Sequence, residues 1–135
     1  MTKVLITGGN GMIGTPLTNL LIEEGYEVVH LSRKVNGNEI VKTYEWNTQT
    51  KFIDPNALKG VTNIIHLAGA GIADKPWTEE RQKEIIDSRV ETAHMLLLHC
   101  QRQNIKLDNF ISASAIGYYP MSISELVYKE DSQHG

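Results

Sequence analysis

Residues 3–14, KVLITGGNGMIG, decide the fold that we predict for this chain. The apolar residues 4–6 are typical of a short strand, and the glycine-rich stretch after them predicts a turn. An apolar pattern with helical spacing then begins at Met12. This order of strand, glycine turn and helix predicts the start of a βαβ unit, in which a helix joins two parallel strands.

Three glycines in this turn have the spacing of a dinucleotide site. Gly8 would let the chain turn sharply off the strand, and Gly11 would let the backbone approach a pyrophosphate because no Cβ is in the way. Gly14 would let the helix pack tightly on the sheet, with free N–H groups at the positive helix end facing the pyrophosphate. Such turns also occur where nothing binds, but the flanking strand and helix favour a dinucleotide. The predicted cofactor contacts of the turn are Thr7, Gly8, Gly9, Asn10, Gly11, Met12, Ile13 and Gly14.

The composition is that of an ordinary globular domain, since 41% of the 135 residues are hydrophobic and 21% are charged. A net charge of −3, without a run of basic residues, argues against binding to nucleic acid or to an anionic membrane. No apolar stretch approaches the roughly 18 residues of a membrane span, and we find no signal-peptide organisation, so we expect a cytoplasmic protein. Cys100 is the only cysteine, and we expect a buried thiol rather than a nucleophile.

Strands and helices alternate through the rest of the chain, which predicts an α/β fold with a parallel sheet. Residues 61–70, VTNIIHLAGA, are continuously apolar, as in a strand buried on both faces, and the small residues at its carboxyl end leave room for a ligand. We expect His66 to be a hydrogen-bonded core residue rather than a general base. The predicted strands after the first are residues 27–31, 40–46, 61–70 and 109–112, with a short helix after Asp54 and a long helix from Thr78 to about Gln103.

The spacing of apolar residues also predicts which helix faces are buried. On the helix that follows the glycine turn, the predicted buried face consists of Ile13, Leu17, Leu20 and Leu21. On the long helix, it consists of Ile86, Val90, Ala93, Leu97 and Cys100.

The residues after the second predicted strand, Ser32, Arg33 and Lys34, bear on the choice of cofactor. An acidic residue there would bind the ribose 2′-OH of NAD, whereas a hydroxyl and two cations suit the 2′-phosphate of NADP. An arginine can hold that phosphate with two hydrogen bonds. NADP is therefore favoured and NAD is the alternative, unless Arg33 and Lys34 are solvated loop charges.

Separated stretches of the chain agree with one protein family. Residues 7–14 (TGGNGMIG) resemble the TGxxGxxG motif of extended short-chain dehydrogenases/reductases, residues 66–70 (HLAGA) resemble the motif at the end of their fourth strand, and residues 112–119 (SASAIGYY) resemble their serine-bearing fifth strand. Residues 77–81 (WTEER) and 88–92 (SRVET) are similar to an atypical branch of NAD(P)-dependent epimerase/dehydratase family proteins. The resemblance covers essentially the whole chain.

The resemblance implies a Rossmann-like doubly wound parallel sheet in three αβα layers. It also implies that residues 1–135 are the N-terminal, NAD(P)-binding portion of the fold, truncated after the fifth strand and without the substrate-binding part. The expected ligands are a nicotinamide dinucleotide and a small-molecule substrate of the nucleoside-diphosphate-sugar class, and no metal is expected. Additional cofactor contacts are expected at the end of the fourth strand, from Leu67, Ala68, Gly69 and Ala70.

In such a protein, a hydride would pass between the nicotinamide and a carbon that bears a hydroxyl or carbonyl group. The resemblance implies that Ser114 hydrogen-bonds the substrate oxygen, and that Tyr118 or Tyr119 transfers a proton or contacts the substrate. Alternatively, the serine has no role in catalysis and is there because only a small residue fits at a crowded strand end.

The chain departs from the family in one respect that leaves other functions open. Most members pair the serine with a Tyr-x-x-x-Lys helix, but no tyrosine here has a lysine four residues on, so the pair either lies beyond residue 135 or is replaced. A non-catalytic NADP(H)-binding or sensing module is therefore an alternative to the enzyme. A further alternative is an incomplete fold that binds weakly and associates through an uncovered sheet edge, so that an oligomer is possible.

Overall fold

The computed structural model describes residues 2–35, 37, 39–68 and 78–113. Strands, two α-helices and a short 3-10 helix alternate along this part of the chain. In chain order they are β1 (Lys3–Thr7), α1 (Gly14–Glu23), β2 (Glu27–Ser32), β3 (Lys42–Asn47), β4 (Phe52–Ile53), the 3-10 helix (Pro55–Leu58), β5 (Asn63–His66), α2 (Glu79–Arg102) and β6 (Asn109–Ser112).

The strands form one sheet in the order β4-β3-β2-β1-β5-β6. All neighbouring pairs are parallel except β3 with β4. The chain places β2 and β3 on one side of β1, and then crosses over to place β5 and β6 on the other side. This reversal of strand order beside β1 is the topological switch point at which open α/β sheets bind ligands.

Helices cover both faces of the sheet, as predicted for three αβα layers. Successive residues of a strand point to opposite faces, and β1 shows both. Val4 and Ile6 pack with Leu17 and Leu21 of α1. Leu5 belongs to the larger core on the other face, where α2 contributes Met95, Leu96 and Cys100. Cys100 is 3% exposed, which confirms the predicted burial, and this burial raises the pKa of its thiol.

The predicted buried faces of both helices are partly wrong. On α1, Leu17 and Leu21 face the sheet, but Ile13 and Leu20 are exposed. The buried residues of α1 are instead Gly14 and Thr18. The helix packs closely on the turn through the glycine, and the threonine hydroxyl is hydrogen-bonded.

On α2, the predicted residues Ile86, Val90 and Leu97 are exposed. Ala93 is half-buried, and of the five only Cys100 is buried. The face that meets the sheet is rotated from the predicted one and consists of Thr92, Met95, Leu96 and Cys100.

The strands differ from the prediction in length and number. β3 begins two residues later than predicted, and β5 is confined to Asn63–His66. Within β5, the adjacent residues Ile64 and Ile65 pack into the cores on opposite faces of the sheet. This confirms the prediction of a strand that is buried on both faces. The antiparallel β4 was not predicted, because its two residues are too few for a periodic pattern. The predicted short helix is a 3-10 helix, capped by the Asp54 carboxylate, which accepts from the Asn56 N–H.

Candidate functional site

The glycine turn lies at the carboxyl end of β1, and side chains at Gly8 and Gly14 would collide with other parts of the backbone. Gly8 has a φ of +69°, and a Cβ on it would lie 3.0 Å from the backbone N of Ala68. A Cβ on Gly14 would lie 2.3 Å from the Gly8 carbonyl oxygen. The first turn of α1 therefore rests directly on the glycine turn, as the spacing of the motif requires.

Gly11, unlike the other glycines of the turn, has room for a Cβ. The Gly11 N–H donates to the Gly8 carbonyl oxygen, 3.2 Å away, and this bond closes the turn. A Cβ on Gly11 would come no closer than 3.4 Å to any other part of the described chain. Next to it, Met12 and Ile13 are exposed at the N-terminal end of α1. Among the described residues no backbone carbonyl accepts from their N–H groups, and such unpaired donors at the positive helix end suit an anion.

A chain of hydrogen bonds joins the end of β1 to β5 and α2. The Thr7 hydroxyl oxygen accepts from the backbone N–H groups of Leu67 and Ala68, both at 3.1 Å. Its own proton therefore goes to His66 Nδ1, 2.6 Å away. On the other side of the ring, Nε2–H donates to the Thr92 hydroxyl oxygen at 2.8 Å, and Thr92 donates to the Ser88 carbonyl. In this arrangement every proton has an acceptor, and His66 is neutral.

His66 is thus the packed, hydrogen-bonded core histidine that the sequence predicts. It is 1% exposed, and the rings of Trp46 and Phe110 lie beside it. Burial lowers its pKa; a hydrogen bond to the Arg89 backbone raises the pKa to a smaller extent, and the Arg89 charge adds to the lowering. A second buried histidine, His30 of β2, is 5% exposed and has its pKa lowered by burial alone.

These two histidines lead us to expect a loss of stability in mild acid. Because their pKa values in the folded chain lie below the usual 6.5, the unfolded chain takes up protons first as the pH falls, which favours unfolding. The free energy of unfolding should be steady above about pH 7 and should fall below about pH 6.5, by up to about 1.4 kcal/mol per pH unit for each histidine. Urea unfolding at a series of pH values measures this slope.

A matched pair of variants tests whether the slope comes from the buried rings. His66→Asn should reduce it, whereas His94→Asn, which replaces an exposed histidine, should leave it unchanged. An identical slope in the wild type, in His66→Asn and in His30→Gln would contradict the assignment.

A cavity of about 450 Å³ opens at the same edge of the sheet, beside the end of β2. Ser32 is in register with Glu45 of β3, so Arg33 follows beside the end of that strand. A guanidinium, a carboxylate, amides, hydroxyls and two aromatic rings line this half-open space. The lining residues are Arg33, Glu45, Trp46, Asn47, Thr48, Gln49, Thr50 and Phe52.

The model of the NAD dependent epimerase/dehydratase family matches residues 4–134. The chain belongs to this family. An epimerase family protein of Mycobacterium bovis is 30% identical over 129 residues, and human epimerase family protein SDR39U1 is 33% identical over 135 residues. These matches cover 96% and 98% of this chain, but only 42% and 43% of the two relatives. The chain therefore spans less than half the length of these family members.

Solved structures confirm the Rossmann-like fold of the family in this chain. The crystal structure of human SDR39U1 (isoform 2) with NADPH is 29% identical and has a TM-score of 0.77, covering 98% of this chain and 43% of that one. A UDP-glucose 4-epimerase structure has a TM-score of 0.77 at 22% identity, covering 99% of this chain and 41% of that one. At this lower identity the likeness shows the fold alone.

The structure brings most of the predicted cofactor contacts together at one edge of the sheet. The glycine turn, Leu67 and Ala68 meet through the Thr7 hydroxyl, and the register of β1 with β2 puts Ser32 beside the turn. Arg33 and Lys34 are exposed at the end of β2, where the Lys34 N–H donates to the Ser32 hydroxyl at 3.4 Å. The predicted residues that lie outside the described part of the chain are Gly69, Ala70, Ser114, Tyr118 and Tyr119.

Two groups of residues at this edge were missed by sequence reasoning. One is the hairpin between β3 and β4, where the Asn47 side chain accepts from the N–H groups of Gln49 and Thr50. An asparagine followed by polar residues is a turn signal that could have revealed it. The other is the pair of Thr18 and His30, for which no local sequence signal exists, because their contact depends on how α1 lies on β2.

The described residues contain neither a membrane-spanning helix nor a metal site. None of their helices is both long and apolar enough to cross a membrane. Within the same part of the chain, no group of three or more histidine, cysteine, aspartate or glutamate residues is placed to hold a metal ion.

Proposed function

We propose that this chain is the NADP(H)-binding part of an oxidoreductase or epimerase. The observation that carries the proposal is the glycine turn at the switch point, where Gly11 has room for a close approach and no described backbone carbonyl accepts from the N–H groups of Met12 and Ile13. An open backbone, free donors and the positive end of α1 together suit a pyrophosphate. The crystal structure of the human relative with NADPH supports the same cofactor class.

NADP is favoured over NAD by the charges at the end of β2. Ser32, Arg33 and Lys34 provide a hydroxyl and two exposed cations beside the cavity, and Arg33 lines it. A guanidinium can bind a 2′-phosphate with two hydrogen bonds. Glu45 lines the same cavity but does not follow β2 in the chain, where an acidic residue selects the 2′-OH of NAD.

Arg33→Asp should therefore reverse the preference between the two nucleotides. We expect the affinity for NADPH to fall at least about tenfold, because a charge-assisted bidentate contact is replaced by repulsion, while the affinity for NADH changes little. Titration with each nucleotide, followed by nucleotide fluorescence or by calorimetry, measures both dissociation constants. Lys106→Asp is the control, since it makes the same charge change in the exposed loop that precedes β6. Equal affinities of the wild type for NADPH and NADH would contradict the assignment of NADP.

A bound nicotinamide would supply hydride transfer to or from a carbon that bears a hydroxyl or carbonyl group. In this proposal the chain holds the pyrophosphate at the glycine turn and the 2′-phosphate at Arg33, and Ser114 binds the substrate oxygen. Tyr118 or Tyr119 would contact the substrate or move its proton. A nucleoside-diphosphate sugar is the substrate class that we propose on the basis of the family. Loss of turnover in Ser114→Ala of a protein that contains the substrate-binding part would support this role, and unchanged turnover would exclude it.

A non-catalytic NADP(H)-binding or sensing module is the second candidate. It would apply if the Tyr-x-x-x-Lys pair is replaced, since no tyrosine of residues 1–135 has a lysine four residues on. Slow oxidation of bound NADPH without substrate would favour the enzyme. Tight binding without turnover of any hydroxy or keto compound would favour the sensor.

A further inference from the structure

The imidazole of His30 lies directly beneath Gly9 of the glycine turn. A Cβ on Gly9 would lie 2.3, 2.4 and 2.5 Å from the Nε2, Cε1 and Cδ2 atoms of the imidazole. Such similar distances to three adjacent ring atoms place Gly9 over the face of the ring. The ring therefore supports the turn from the side of β2.

The helix that follows the turn holds Gly9 from the other direction. A Cβ on Gly14 would lie 2.6 Å from both the Cα and the carbonyl carbon of Gly9. Gly9 is therefore fixed between the start of α1 and the imidazole of His30. A much smaller side chain at position 30 would leave a gap under the turn, and a bulkier one would push the turn against the helix.

A hydrogen-bonded threonine links the same histidine to the start of α1. The Thr18 hydroxyl donates to the Gly14 carbonyl oxygen at 2.7 Å, because a carbonyl can only accept. The Thr18 oxygen must then accept from His30 Nε2–H, 2.9 Å away. The neutral side chain of His30 thus fixes the position of the glycine turn through Gly9, and the position of the start of α1 through Thr18.

We propose that His30 is a positioning residue of the dinucleotide site, which holds the glycine turn and the N-terminus of α1 in the geometry that binds the pyrophosphate. This inference rests on the function proposed above, and it assigns no contact between His30 and the nucleotide. Its effect on binding comes from preorganisation, because a turn that is free to shift must be ordered when the nucleotide binds.

Two substitutions of His30 separate the hydrogen bond from the bulk of the ring. His30→Leu removes the donor to Thr18 and should weaken NADPH binding about tenfold or more, the equivalent of one buried hydrogen bond. His30→Gln keeps an N–H at a similar reach and should stay within about threefold of the wild type. Thr18→Val, which removes the acceptor, should reproduce the effect of His30→Leu. His94→Gln is the control for loss of an exposed histidine.

A double-mutant cycle tests the contact with Gly9. Gly9→Ala alone should reduce NADPH affinity by more than about tenfold, because the new methyl group collides with the ring. In the background of His30→Ala, where the ring is absent, the same substitution should cost less than about threefold. Calorimetric titration gives the dissociation constants, and thermal unfolding without nucleotide shows which variants are folded.

Each outcome decides one question. Failure of the wild type to bind either NADPH or NADH would overturn the proposed function itself. Binding by the wild type, together with wild-type affinity in a folded His30→Leu or additive effects in the cycle, would overturn the role of His30 alone. If His30→Leu does not fold, the other two results still test the role of His30. The role requires both near-wild-type NADPH affinity in His30→Gln and non-additive effects of Gly9→Ala and His30→Ala.

Discussion

Gly14→Ala should abolish NADPH binding and lower the stability of the chain by about 2 kcal/mol or more. The new Cβ would lie 2.3 Å from the Gly8 carbonyl oxygen and 2.6 Å from two backbone atoms of Gly9. None of these atoms belongs to a flexible side chain, so the helix must move away from the turn. Both the packing of α1 on the sheet and the alignment of its free N–H groups would then be lost. Urea unfolding and nucleotide titration measure the two effects.

Gly11→Ala is the matched control in the same turn, and it should separate folding from binding. Gly11 has no positive φ, and its new Cβ would make only an ordinary contact, 3.4 Å from the Gly8 carbonyl oxygen. The variant should therefore fold with a stability within about 1 kcal/mol of the wild type. It should still lose more than about tenfold in NADPH affinity, because the methyl group fills the space proposed for the pyrophosphate. Wild-type affinity in Gly11→Ala would show that no pyrophosphate lies over this glycine.

Leu96→Ala should lower the free energy of unfolding by about 3 kcal/mol. Leu96 is 0% exposed and belongs to the core between α2 and the sheet. Truncation of such a side chain removes its buried area and leaves a cavity that the neighbouring strands cannot fill. The midpoint of urea or thermal unfolding, compared with that of the wild type, measures the loss.

The adjacent leucine provides the control. Leu97 is 46% exposed, so Leu97→Ala should cost less than about 1 kcal/mol. The two variants remove the same atoms from neighbouring positions of one helix, and differ only in the face that the side chain occupies. A larger loss in Leu97→Ala than in Leu96→Ala would contradict the orientation of α2 and would restore the orientation that the apolar spacing predicts.

The features that could be predicted from the sequence are those that depend on neighbouring residues. The glycine turn is one, because the need for absent side chains at Gly8 and Gly14 arises from contacts within a strand, its turn and the next helix. The 3-10 helix after Asp54 is another, since the cap and the proline specify it locally. The parallel sheet followed from the alternation of strands and helices and from the continuous apolar strand around Ile64 and Ile65.

The features that could not be predicted depend on partners far away in the chain. On α2, residues 95–98 are all apolar, so two helix faces have suitable spacing and the sequence does not choose between them. The choice is made in part by Thr92, a polar residue that is buried because its hydroxyl meets His66, 26 residues earlier. The same holds for α1, where Thr18 faces inward to meet His30. Apolar spacing alone takes no account of such buried polar residues, so both predicted faces are rotated from the observed ones.

The central position of β1 has a consequence for the order in which the fold is completed during synthesis. β1 pairs with β2 soon after both are made, but its other edge pairs with β5, and Thr7 and His66 are 59 residues apart. Until that long loop closes, the apolar side chains of a half-paired strand remain open to other chains. Contacts between such distant segments form slowly. We therefore expect the contacts of the glycine turn with Leu67 and Ala68 to form only after β5 has been synthesised, although the turn itself precedes most of the sheet in the chain.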